Sequence, residues 1–213
     1  MLDNTFDYYR KMQDLSIKSF QKNLTGNWEL IEFGGKFDNL QLALIESINQ
    51  IQQFWHDWYP CNILYTDPDT LCIKPLDIFG KFEEFRLFTQ NDPLDQGQYH
   101  NSGVKYYPST IEPKFWAQMQ QEINTWDFNK YDTEQTIYAK LMWSQPSLHI
   151  NRYQAQGLIV SQLDRIPWHD KQFNFNDLLP IEFDRPILHF HGSRDPTARL
   201  EWMQDIYNHL TIS

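Results

Sequence analysis

The chain has 213 residues, of which 41% are hydrophobic and 22% charged, the balance of a globular protein with a proper core. Its net charge of −10 argues against a nucleic-acid partner, because such binders present a basic surface to the phosphates. No apolar run reaches the length of a membrane span, the first residues lack a basic-then-apolar signal pattern, and the two cysteines, Cys61 and Cys72, form no ligand-spaced cluster, so a cytoplasmic protein with free thiols is expected.

In chain order, Phe6, Tyr9, Met12, Leu15, Ser16, Ser19 and Phe20 recur at helical spacing and predict an amphipathic helix ending near Gly26. Residues 28–33 mix apolar and acidic side chains like a half-buried strand, stopped by Gly34-Gly35. Leu40, Leu44, Ile48 and Ile51 mark a second helix, and Pro60 breaks the aromatic stretch after it. Residues 61–65 read as a buried strand of a parallel sheet. Further strands are expected at 85–89, 104–107 and 186–191, and helices at 112–126, 133–143 and 197–210. Alternating helices and strands with no linker predict one α/β domain over residues 1–213, a mixed Rossmann-like sheet flanked by helices.

The strongest chemical feature is Asp67-Pro68-Asp69, two carboxylates at i and i+2 just past an apolar strand. In extended backbone their side chains share one face, within reach of one hard cation. The end of a strand is also where open α/β sheets bind ligands. An acidic turn explains the same three residues equally well. Four later segments bear on the choice: Lys74-Pro75-Leu76, Asn101-Ser102-Gly103, Glu134-Gln135 at a helix start, and His189-Phe190-His191-Gly192.

This ordered set resembles the GT-A fold glycosyltransferases, and among them the family-8 enzymes such as glycogenin and bacterial galactosyltransferases. The resemblance spans Asn62 to Arg194. It implies a metal-dependent, hexosyltransferase-like enzyme that moves a sugar from a nucleotide-diphosphate donor, a UDP-sugar, to an acceptor hydroxyl with retention. By this resemblance Asp67, Asp69 and His189 hold Mn²⁺ or Mg²⁺, with His191 as the alternative imidazole, and Asp67 also reaches the nucleotide ribose. Asn101 and Gly103 line the donor pocket, and Glu134 and Gln135 lie beside the transferred sugar as catalytic residues. Arg194 stands one position out of register with the lysine by which the family binds the diphosphate, and its guanidinium can hold a phosphate in the same way. The family also opens with an apolar strand whose loop binds the base; here a helix comes first, so that region is expected to be reduced. Two other readings use the same residues: a non-catalytic nucleotide- or sugar-binding protein on this fold and, more remotely, a HAD-type phosphatase, whose usual Gly-Thr after the second aspartate is replaced here by Thr70-Leu71. The sequence names no acceptor and no oligomeric state.

Overall fold

The computed structural model describes residues 3–33, 40–79, 86–87, 102–125, 137–138, 141, 160–162, 186–190 and 196–212. Helix α1 runs Asp3–Asn23. Met12, Leu15, Ser16, Ser19 and Phe20 form its buried stripe, the face expected from their spacing. The helix is stitched to a later segment at its C-terminal end. Leu24 bridges Leu76, and the Asn23 side-chain amide donates to the carbonyl oxygens of Ser19 (3.1 Å) and Cys72 (2.7 Å). Gly26 follows at φ +91°, a left-handed conformation that disfavours any residue with a Cβ.

Residues 28–33 form no strand, against the expectation from their composition. Helix α2 (Leu40–Asp57) follows. It buries Ile48, Ile51 and Trp55. Strand β1 (Ile63–Thr66) then leads into Asp67-Pro68-Asp69, and β2 (Thr70–Cys72) continues beyond. Next come β3 (Arg86–Leu87), β4 (Val104–Tyr107) and α3 (Pro113–Asn124). Strand β5 (Val160–Gln162), β6 (Ile187–His189) and α4 (Pro196–Ile212) complete the described elements.

The strands make two three-stranded sheets, in the orders β1-β4-β3 and β2-β6-β5. The first is antiparallel throughout, with Ile63 opposite Tyr107 and Thr66 opposite Val104. This corrects the parallel pairing expected for residues 61–65: an apolar run reports burial on both faces, not the direction of its neighbour. The second sheet pairs β2 with β6 antiparallel and β5 with β6 parallel. Pro68 stands where the chain leaves one sheet for the other. It has no N–H for a ladder and so favours the break there.

Three apolar clusters fix these parts. One joins α2, β1, β4 and α3 through Trp55, Ile63, Tyr107 and Trp116; the Tyr107 and Trp116 rings stack at 5.3 Å. A second joins α1, β2, β6 and α4 through Met12, Leu71, Leu188 and Met203. A third lies between the two sheets, where Phe20, Cys72, Val104, Tyr106 and Ile187 meet. The two sheets and the joint between them are therefore held from both sides.

Candidate functional site

The joint between the sheets carries the acidic pair. Asp67 follows directly on β1, and Pro68 and Asp69 form a turn before β2, so the pair does not lie on one continuous extended strand. The turn is tied down at four points. The Asp67 N–H donates to the Gly103 carbonyl at 2.7 Å, and the Phe190 N–H donates to the Asp69 carbonyl at 2.9 Å. The Thr70 hydroxyl donates to the Asp67 carbonyl at 2.8 Å. With its one proton so used, Thr70 accepts from Ser16 of α1 at 3.2 Å.

The β2–β6 register brings the third residue in. Thr70 lies opposite His189, so the imidazole arrives beside the start of β2. Its Nε2 is 3.4 Å from Asp69 Oδ1. One donor atom each from Asp67, Asp69 and His189 lie within 4.8 Å of one another. Asp69 and His189 are buried, at 5% and 2% exposure, whereas Asp67 is half-buried.

A fourth group was not legible in the sequence. Arg199, in the first turn of α4, pairs through Nη1 with Asp69 Oδ2. An edge-to-face contact between Phe190 and Trp202, with centroids 4.8 Å apart, seats α4 against the end of β6 and carries Arg199 to the carboxylate. Asp69 therefore divides its oxygens: Oδ2 to the guanidinium, Oδ1 toward His189. Burial alone would push the Asp69 carboxyl up; His189, by charge and hydrogen bond, and Arg199 by charge outweigh it and hold the group below the ordinary aspartate value.

Two carboxylates and an imidazole are a sound donor set for a hard or borderline divalent cation. With His189 neutral, as a metal ligand must be, Arg199 balances only one of the two carboxylates and the cluster keeps negative charge for a cation to neutralise. Its three donors leave half of a six-ligand sphere to be filled by other oxygens, such as water or phosphate. The residues present thus fit a divalent metal ion.

The remaining candidates divide. Gly103 touches the site through its carbonyl, as above. Asn101, Glu134, Gln135, Arg194 and His191 lie outside the described residues. Lys74 is exposed on the segment after β2. One further cation lies nearby and was missed: Lys105 of β4 is fully buried, directly opposite Tyr65 of β1. Its Nζ sits 4.0 Å from the Tyr65 ring centroid and 4.9 Å from that of Tyr138, a cation–π arrangement. Cys61 and Cys72 are free thiols. No described helix is long and apolar enough to cross a membrane.

No family model matches the chain, and no curated protein sequence matches it. Among solved structures it is similar to a glycosyltransferase involved in the glycosylation of the major capsid of PBCV-1. That likeness has a TM-score of 0.58 at 16% identity and covers 95% of this chain and 94% of the other. It shows the fold: a mixed α/β arrangement shared with a glycosyltransferase.

Proposed function

We propose that this protein is a metal-dependent glycosyltransferase that takes a UDP-sugar as donor and Mn²⁺, or Mg²⁺, as cofactor. The observation that carries the reading is the convergence of Asp67, Asp69 and His189 at the joint between the sheets, on a chain whose fold is shared with a glycosyltransferase. On this reading residues 1–213 act as one domain. Asp67, Asp69 and His189 hold the ion, and the half-buried Asp67 also meets the ribose. When bound, the ion supplies Lewis-acid stabilisation of the departing diphosphate.

The chain's other residues take supporting parts. Arg199 keeps Asp69 ionised and fixes which oxygen it offers. Gly103 and Asn101 line the donor pocket, with the Gly103 carbonyl already holding the Asp67 backbone. Arg194 grips a phosphate, for which a guanidinium fork is well shaped. Glu134 and Gln135 stand beside the transferred sugar, in the family-8-like order that implies retention. The acceptor supplies a hydroxyl.

Calorimetry with UDP, in the presence and absence of Mn²⁺, tests the reading. Binding is expected with the ion and not without it; equal binding in both conditions would remove the metal from the account. Slow hydrolysis within a panel of UDP-sugars then separates an enzyme from a protein that only binds nucleotide, since only an enzyme releases the sugar to water.

A further inference from the structure

Asp69 is held from two sides, and each side takes a different oxygen. Arg199 pairs through Nη1 with Oδ2, while Oδ1 lies 3.4 Å from His189 Nε2. The carboxylate is buried, so an oxygen that leaves the guanidinium has little water to turn to.

The guanidinium is itself fixed in place. It belongs to the first turn of α4, and α4 is anchored just beyond it. Trp202 meets Phe190 edge to face, and Met203 and Ile206 are fully buried in the cluster shared with α1, β2 and β6. Phe190 in turn donates its N–H to the Asp69 carbonyl. The backbone and the side chain of Asp69 are thus both tied to the corner between β6 and α4. Rotating the carboxylate until both oxygens face a cation would cost the charge-assisted bond to Arg199.

This restricts how an ion is held, because Asp69 has Oδ1 to give and not both oxygens. Divalent ions differ in what that restriction costs. A small ion such as Mg²⁺ takes about six ligands at short range and is satisfied by single carboxylate oxygens, whereas Ca²⁺ takes roughly six to eight and often chelates a carboxylate with both. The charge of Arg199 does not distinguish them: a guanidinium beside the site repels any two dications alike. What separates them is the number of oxygens that Asp69 can offer.

We propose that Arg199 sets the ion specificity of the metal centre: by occupying Asp69 Oδ2 it makes Asp69 a one-oxygen ligand and selects small six-coordinate divalent ions against Ca²⁺. This rests on the reading that Asp67, Asp69 and His189 hold a divalent cation, and it gives a part to a residue outside that donor set. Arg199 is a positioning residue here, since it acts through Asp69 and does not touch the ion.

The test measures the affinity of the full chain for Mn²⁺, from the free-ion resonance signal, and for Ca²⁺, from its displacement of bound Mn²⁺. Both are taken at about pH 8, where an ordinary imidazole is neutral, and the readout is their ratio. The unaltered chain is expected to favour Mn²⁺ over Ca²⁺ by about a hundredfold or more, with the imidazole adding to the bias. Arg199→Met frees Oδ2 and should narrow that ratio by about tenfold. Arg199→Lys keeps a cation on Oδ2, where the pair uses a single nitrogen, and should hold the ratio within about twofold of the unaltered chain. A merely structural role would weaken both ions together and leave the ratio where it was. An unchanged ratio in folded Arg199→Met would therefore overturn the proposal. So would an unaltered chain that binds Ca²⁺ as tightly as Mn²⁺, a result that needs no variant to fold. Mn²⁺ binding with an unchanged ratio sinks this inference alone, whereas no Mn²⁺ binding by the unaltered chain would sink the metal reading and this inference with it.

Discussion

The two sides of Asp67 are built very differently. Toward β2 and β6 the structure is closed: Asp69, Thr70 and His189 are buried, their backbones are paired across two strands, and α1 and α4 cover them. Toward residues 28–33 it is open: a wide cleft, a strand at the edge of its sheet among the described residues, and the exposed side chains of Leu30 and Ile31. The contrast teaches that the two halves of the candidate site depend on different things. The half that carries the candidate metal ligands is preorganised by close packing among the described residues. The side toward residues 28–33 leaves open space beside Asp67.

The largest expected effect breaks the closed side. Arg199→Met removes the guanidinium from a buried carboxylate and should cost about 3–5 kcal/mol in the absence of metal, because it strands the Asp69 charge. Denaturant unfolding measures this, and adding Mn²⁺ should return part of the loss, since the ion replaces the missing positive charge. Leu71→Ala, at a fully buried position of β2, should cost about 2–5 kcal/mol by the same measurement. Ser19→Ala should cost about 1–2 kcal/mol. Its hydroxyl accepts from the Cys72 N–H at 2.9 Å and donates to the Ser16 carbonyl at 2.7 Å, so the change leaves a buried donor unmet. On the open side, Leu30→Ser should fall within about 0.5 kcal/mol; a loss as large as that of Leu71→Ala would show that the cleft wall is packed after all.

A pH test sharpens the same contrast through the two thiols. Burial pushes the Cys72 thiol up from 9.0 to about 12. For a group raised on folding, stability is intact below the unfolded value and is lost as pH rises, here between about 9 and 12. Cys72→Ala should therefore flatten the alkaline end of the stability curve. Native alkylation should reach half-buried Cys61 well before Cys72.

Much of the closed side was legible in the sequence, for local reasons. The α1 stripe and the 104–107 strand are set by burial patterns that repeat over short distances. Asp67, Asp69 and His189 were legible as a set only through motif order, since nothing local to residue 189 points to residue 69. Arg199 was not legible: it acts through tertiary packing of α4 on β6, and an arginine in a helix reads as a solvent group. Strand β2 was hidden within the acidic motif, and β5 is three residues long, below the reach of periodicity. The direction of β1 was misjudged because an apolar run does not encode its partner. Residues 28–33 have the composition of a strand but form none, because composition reports burial preference and not whether a partner strand is in reach.

The central claim is that Asp67, Asp69 and His189 hold one divalent cation. Electron paramagnetic resonance of added Mn²⁺ tests it most directly, by the loss of the free-ion signal on binding and by spin-echo modulation from a ligating nitrogen. The account predicts one bound Mn²⁺ per chain with one imidazole nitrogen, the nitrogen modulation vanishing in His189→Ala and binding vanishing in Asp69→Asn while both variants stay folded. Binding of Mn²⁺ with no nitrogen modulation, or with affinity unchanged in Asp69→Asn, would contradict it.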